Sequence, residues 1–134
     1  MSRYGPQIAA LARQAARDRA EFDPEAATSS DGRAYLREGA GPAIWIYLEA
    51  HTGGRTGRFT APELTALRGA MNAWLECYTR CHGVSLEAEF TVREAATVLL
   101  ETRNVFETAQ LLTRVPQKRS KRESRERTKQ QGST

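Results

Sequence analysis

Phe59-Thr60-Ala61-Pro62-Glu63-Leu64, followed by nineteen residues to Gly83, carries both ends of one long helix and the pattern that fills it. Thr60 as N-cap and Glu63 three positions on form a capping box, each side chain answering the other residue's backbone N–H. Phe59 and Leu64 occupy the two positions of a hydrophobic staple, and Gly83 sits where a helix ending near His82 places its left-handed C′ residue. Between these ends, Leu64, Leu67, Met71, Trp74, Tyr78 and Cys81 recur at spacings of 3, 4, 3, 4 and 3. That is a heptad seam, and it needs another helix against it, from the same chain or from a second copy.

Outward toward the C-terminus, Val84 to Phe90 alternates apolar and polar residues, as a short strand or an extended connection with one buried face does. No partner strand is visible, so the extended connection is favoured. Thr91 and Glu94 repeat the capping device and start a helix with Val92, Ala95, Ala96, Leu99 and Leu100 on its apolar side. Asn104-Val105-Phe106-Glu107 predicts a third capping box and a last helix with Val105, Phe106, Ala109 and Leu112 inward. Val115-Pro116 ends the ordered body.

Outward toward the N-terminus, Thr52 to Arg58 contains three glycines in five positions, too much backbone entropy for a helix interior. The helix before it opens at Pro42, and its run Ala43 to Ala50 is apolar on nearly every side, which suits the centre of a core or a subunit interface. Gly39-Ala40-Gly41-Pro42 reads as a break, preceded by a short helical turn at Arg33 to Glu38. Asp23 to Gly32 is rich in turn formers and reads as a loop. Pro6 to about Phe22 is a first helix, with Ile8, Leu11, Ala12, Ala15 and Phe22 at helical spacing.

These elements predict an all-α bundle of four to five helices with a long central helix, over 1–116, and a disordered basic tail over 117–134. At 134 residues a single core forms without disulfides or metals. The longest apolar run falls well short of the roughly 20 residues that cross a bilayer, and the N-terminus lacks the apolar core of a signal peptide. Cys77 and Cys81, four apart on a helix, have poor disulfide geometry, so a reducing cytoplasm is the expected setting.

Charge is divided unevenly. Residues 1–116 hold 13 Arg, no Lys and 14 Asp or Glu, a net of 13 − 14 = −1; residues 117–134 hold seven basic residues against Glu123 and Glu126, a net of 7 − 2 = +5. The tail has no hydrophobic residue with which to offset ordering entropy. Lys118, Arg119, Lys121, Arg122, Arg125, Arg127 and Lys129 are placed to meet phosphates, and the absence of aromatics removes base stacking, so contact with nucleic acid would be insensitive to sequence. A tail that serves only solubility is the plain alternative.

Other features carry less. The helices at 92–103 and 105–114 could form a helix-turn-helix, but the connection has no glycine and a packed hairpin explains them. Arg55 to Leu64 resembles the start of a homeodomain's first helix over about ten residues and no further. Cys77, Cys81, His82 and His51 are metal-ligand types, yet Cys-x-x-x-Cys-His is not an established zinc spacing, and buried structural cysteines are the default. The glycines and arginines of Thr52 to Arg58 fail the Walker spacing and lack its lysine. No paired carboxylates, nucleophile set or cofactor motif argues for an enzyme, and no cofactor is expected.

Ala70-Met71-Asn72-Ala73-Trp74-Leu75-Glu76-Cys77-Tyr78, with Phe90 to Ala96 and Leu111 to Pro116, resembles a family of small uncharacterised haloarchaeal proteins over roughly residues 6–116. The resemblance implies an archaeal cytoplasm and no activity to carry over. The near-neutral body departs from the acidic habit of haloarchaeal proteins. In about 3 M salt a tail making five phosphate contacts would lose more than about six orders of magnitude of affinity relative to about 0.1 M.

The resulting expectation is a non-catalytic helical binding protein whose tail touches nucleic acid or another polyanion. It would self-associate through Leu64, Leu67, Met71, Trp74 and Tyr78 or through the helix at 43–50. The alternative is a protein–protein adaptor or homo-oligomeric module with an inert tail, and an enzyme of unrecognised type comes third.

Overall fold

The computed structural model describes residues 4–52 and 59–116, which are helical with no strand among them. Helix α1 spans Gly5–Glu21, α2 Ser29–Tyr35, a π-helical turn Leu36–Ala40, α3 Gly41–Thr52, α4 Ala61–Cys81, α5 Val92–Thr102 and α6 Val105–Thr113. The expected all-α bundle around a long central helix is the observed architecture.

Helix α4 is the hub. Its capping box forms as the sequence predicts: Thr60 N–H donates to Glu63 Oε1 at 2.8 Å and Glu63 N–H to Thr60 Oγ1 at 3.2 Å. At its other end His82 is the C-cap, and Gly83 takes φ +77°. From Ala70 to Thr79 every residue is buried, because α1, α2 and the π turn pack on one side and the 84–91 connection on another. The staple is rearranged. Phe59 packs its ring 6.0 Å from Tyr4 and 6.3 Å from Tyr47, while Leu64 stays 42% exposed.

Two expectations upstream are corrected. The segment read as a loop to Gly32 already becomes helical at Ser29, because Thr28 and Asp31 form a reciprocal capping box, with bonds of 2.9 and 3.2 Å, that outweighs the Asp31-Gly32 turn signal. The supposed break at Gly39 to Pro42 is continuous helix. Gly41 N–H reaches back five residues to the Leu36 carbonyl, so the chain passes Pro42 through a wider turn in place of a stop.

The glycines there are needed for contact. A Cβ on Gly39 would lie 2.4 Å from the Trp74 ring, and one on Gly41 2.8 Å from the Leu36 carbonyl oxygen. Within α3, Ala43, Ile44, Ile46, Leu48 and Ala50 are buried as expected of a core helix, but Trp45 is 59% exposed.

The extended connection forms as expected, and its backbone is satisfied by side chains of α4 in place of a partner strand. Arg68 donates to the Glu89 carbonyl at 3.2 Å. Asn72 bonds Phe90 twice, its amide N–H donating to the Phe90 carbonyl at 2.9 Å and its carbonyl accepting from Phe90 N–H at 3.1 Å. Glu76 accepts from Ala88 N–H at 3.0 Å. These three residues recur every four positions, so they stand in one row along α4.

Helix α5 starts at its Thr91–Glu94 capping box as predicted. Asn104 caps α6 by accepting from Phe106 and Glu107 N–H groups, but its own N–H donates to Thr102 Oγ1. The side-chain hydroxyl of Thr102 thus takes the donor that the expected third capping box would give to Glu107. Arg103 and Arg114 close α5 and α6 at φ 57° and 60°, the left-handed region where glycine is the usual occupant.

Candidate functional site

The heptad seam is filled from inside the chain. Leu67, Met71, Trp74 and Tyr78 are at most 1% exposed, and of the five residues considered as an interface only Leu64 retains substantial surface. Tyr78 also ties down the end of the body, its hydroxyl donating to the Val115 carbonyl at 2.6 Å. Lys118, Arg119, Lys121, Arg122, Arg125, Arg127 and Lys129 lie outside the described residues, as does the glycine-rich stretch at 53–58.

The cysteines and histidines do not gather. Cys77 is buried and Cys81 half-buried, both free. Burial pushes the Cys77 thiol up to about 11, against a lowering by Arg80, and the Cys81 thiol up to about 12 with a further rise from Asp31. Neither is a thiolate at neutral pH, so neither offers a nucleophile or a ready ligand. His51 stacks on Tyr47 at 4.1 Å, its Nδ1 2.9 Å from the Tyr47 carbonyl, while buried His82 meets Tyr78 edge-on at 4.9 Å. Among the described residues no three His, Cys, Asp or Glu side chains form a metal-sized cluster.

The described residues hold two concavities of note, and sequence reasoning singled out neither. One, of about 440 Å³, is a groove between α1 and α4 lined mainly by Ala12, Ala16, Ala20, Ala66, Gly69 and Ala73. The other, of about 330 Å³, lies where α1 meets the π turn and is lined by Gln14, Asp18, Tyr35, Glu38, Gly39 and Trp74, with Ala34 between.

This second cavity is chemically specific. The Asp18 carboxylate is fixed by two donors, Trp74 Nε1 and Gln14 Nε2, each at 2.8 Å. Glu38 projects from the π turn with its side chain 71% exposed, 3.9 Å from an exposed Arg37. Burial pushes the Tyr35 phenol up to about 12, with smaller contributions from Cys77, Cys81, Asp18 and Asp31, so it stays protonated and able to donate. The site joins Asp18 to a tryptophan 56 positions away. Its one local signal was the Gly-x-Gly-Pro of the π turn, which resembles a stop because both features use the same residues.

Surface apolar groups are the remaining candidates. Leu100 on α5 is 58% exposed and Leu111 on α6 is 61% exposed. No helix among the described residues is long and apolar enough to cross a membrane.

Architecture and site together define an all-helical domain built on a buried central helix, with one small acidic pocket and no recognisable catalytic constellation among the described residues. The chain belongs to the family described as Domain of unknown function (DUF8055), whose model matches residues 2–117. No curated protein and no solved structure matches it.

Proposed function

We propose that the protein is a non-catalytic helical binding module whose basic C-terminal stretch contacts nucleic acid or another polyanion without reading its sequence. The observation that carries this reading is the charge division: a body of net −1 is followed, directly after Val115-Pro116, by seven basic residues against two acidic ones. The anchoring of Val115 by Tyr78 supports it, because the body then presents that stretch from a fixed point. Raised thiol pKa values and the use of Asn72, Glu76, Asp18 and Thr108 in structural hydrogen bonds favour a scaffold over a reaction centre. The reading includes an archaeal cytoplasm at moderate salt, where phosphate contacts survive.

Fluorescence anisotropy with labelled duplex and single-stranded DNA tests it, comparing the native chain with one in which the seven basic residues are glutamines. Five phosphate contacts give a log–log salt slope of about −4.5 on duplex DNA, lost with the basic residues. Undiminished binding by the glutamine variant would sink the tail reading and favour a helix-turn-helix at α5 and α6.

A second reading, a protein–protein adaptor, rests on the exposure of Leu100 and Leu111 on neighbouring helices. Absence of DNA binding at low salt, together with loss of a captured protein on Leu100→Ser and Leu111→Ser substitution, would favour it. A strict monomer by light scattering at high micromolar concentration would remove its homo-oligomeric form.

A further inference from the structure

We propose that the outward face of the α5–α6 pair binds a second copy of this chain, about a two-fold axis that crosses both helices at mid-height and sets each against its own antiparallel copy. On α6, Glu107, Leu111 and Arg114 follow at spacings of four and three, so they form one stripe, and all three are exposed. Leu111 is 61% exposed, whereas Thr108, Ala109 and Thr113, which turn α6 onto the body, are buried. Neither Glu107 nor Arg114 is ion-paired with another described residue. On α5 the signs are exchanged. Arg93, Thr97 and Glu101 recur every four residues on its exposed side, with Leu100, 58% exposed, beside them.

The charges indicate what covers this face. Glu107 and Arg114 flank the midpoint between positions 110 and 111, and Arg93 and Glu101 flank Thr97, so each helix is acidic on one side of its centre and basic on the other. An antiparallel copy on α6 therefore sets Glu107 against Arg114 of the second copy, and Arg114 against its Glu107. A parallel copy sets like charges together, which is unfavourable. The two centres also stand level. α5 and α6 pack on each other across a two-residue connection, Arg103-Asn104, and in a helical hairpin turning there Thr97 is about as far before the turn as positions 110 and 111 are beyond it.

One axis thus serves both helices and gathers opposite charges around Leu111 and its copy, an apolar centre inside a polar rim. With its acidic and basic side chains balanced, the face does not suit a strongly charged partner, whereas its own copy matches it charge for charge. It is separate from the heptad seam, which the chain fills itself.

The pairing shares the exposed leucines with the adaptor reading and does not rest on the polyanion reading. One consequence does. Arg114 is followed by Val115, which Tyr78 holds at 2.6 Å, so the ends of both bodies border the interface and a polyanion would meet two basic stretches at once.

The test is sedimentation velocity of the full chain over a concentration series. The face offers about ten exposed residues a side against the roughly 20–30 of a standard interface, so the expected Kd is roughly 10–100 μM. Leu111→Ser should weaken pairing at least about tenfold while helicity by circular dichroism stays unchanged. Glu107→Arg and Arg114→Glu each set like charges across the axis, and each should weaken self-pairing at least about threefold. Mixed in equal amounts, these two variants should pair as tightly as the native chain, because each supplies the charge the other has lost.

A native chain that stays monomeric up to about 1 mM, well above the weakest Kd expected, overturns the proposal. So does a dimer indifferent to Leu111→Ser, or a mixture that pairs no better than its components. The measurement contains no nucleic acid, so its failure is separable from a failure of the basic stretch to bind DNA.

Discussion

Gly39→Ala is expected to destabilise the fold although alanine is the better helix former. The added Cβ would lie 2.4, 2.5 and 2.7 Å from Cδ2, Cε2 and Cγ of Trp74. Carbon atoms in favourable contact are roughly 3.5–4.0 Å apart, so the ring or the π turn must retreat by about 1 Å. The ring has nowhere to go: it is 1% exposed and its N–H is held by Asp18 at 2.8 Å. Overpacking of this kind costs typically about 1–3 kcal/mol, and a rigid obstacle puts it at the upper end. Alanine's helical advantage returns about 0.5–1 kcal/mol.

The net expectation is a loss of about 2 kcal/mol, which for a body of this size lowers Tm by roughly 8 °C. Gly69→Ala is the internal control, since its Cβ would meet nothing within 4 Å and its site is exposed on α4. It should gain about 0.5–1 kcal/mol. Urea denaturation of both variants, with Gly39→Ala repeated in a Trp74→Ala background that removes the ring atoms it meets, gives the sign and the coupling. A neutral or stabilising Gly39→Ala, or a cost unchanged when the indole is removed, would refute the close-packing account.

Asn72→Ala should cost about 2 kcal/mol, because it strips both Phe90 backbone groups of their partner in a half-buried segment; hydrogen exchange should quicken at Phe90 before it does in α1. Stability should hold below pH 9 and decline above it. Burial pushes Cys77, Cys81, Tyr35 and Tyr78 up to about 11, 12, 12 and 12, from ordinary values of 9.0 for the thiols and 10.0 for the phenols. The folded state therefore keeps protons that the unfolded chain releases, and stability falls as pH rises from about 9 toward 12. Alkaline urea titrations check this, and a Cys77→Ala, Cys81→Ala double variant should show a shallower decline. Arg103→Gly should raise stability by about 0.5 kcal/mol by removing a left-handed strain of about 1–2 kcal/mol at the cost of added chain entropy; thermal denaturation measures it.

What the sequence made legible was local chemistry. Thr60–Glu63 and Thr91–Glu94 fixed two helix starts because a capping box lies within four residues, and the heptad from Leu67 to Tyr78 identified the hub because periodicity is a one-helix property. The π turn was illegible because Gly39 and Gly41 serve contacts with Trp74 and the Leu36 carbonyl, and a glycine chosen for contact resembles one chosen for a turn. The cavity was illegible for the same reason: Asp18, Glu38 and Trp74 belong to three elements, and nothing in α1 alone marks Asp18 as the partner of an indole. The row Arg68, Asn72, Glu76 was visible as spacing, but its meaning depended on the connection that folds back along it.

The most direct test of the functional account is an NMR titration of the native chain with a single-stranded oligonucleotide at low salt, read amide by amide. The account expects shifts concentrated at 117–134, fading as salt rises, with α1 to α6 unchanged beyond the neighbourhood of Val115. Shifts concentrated on α5 and α6, or none at all, would contradict it.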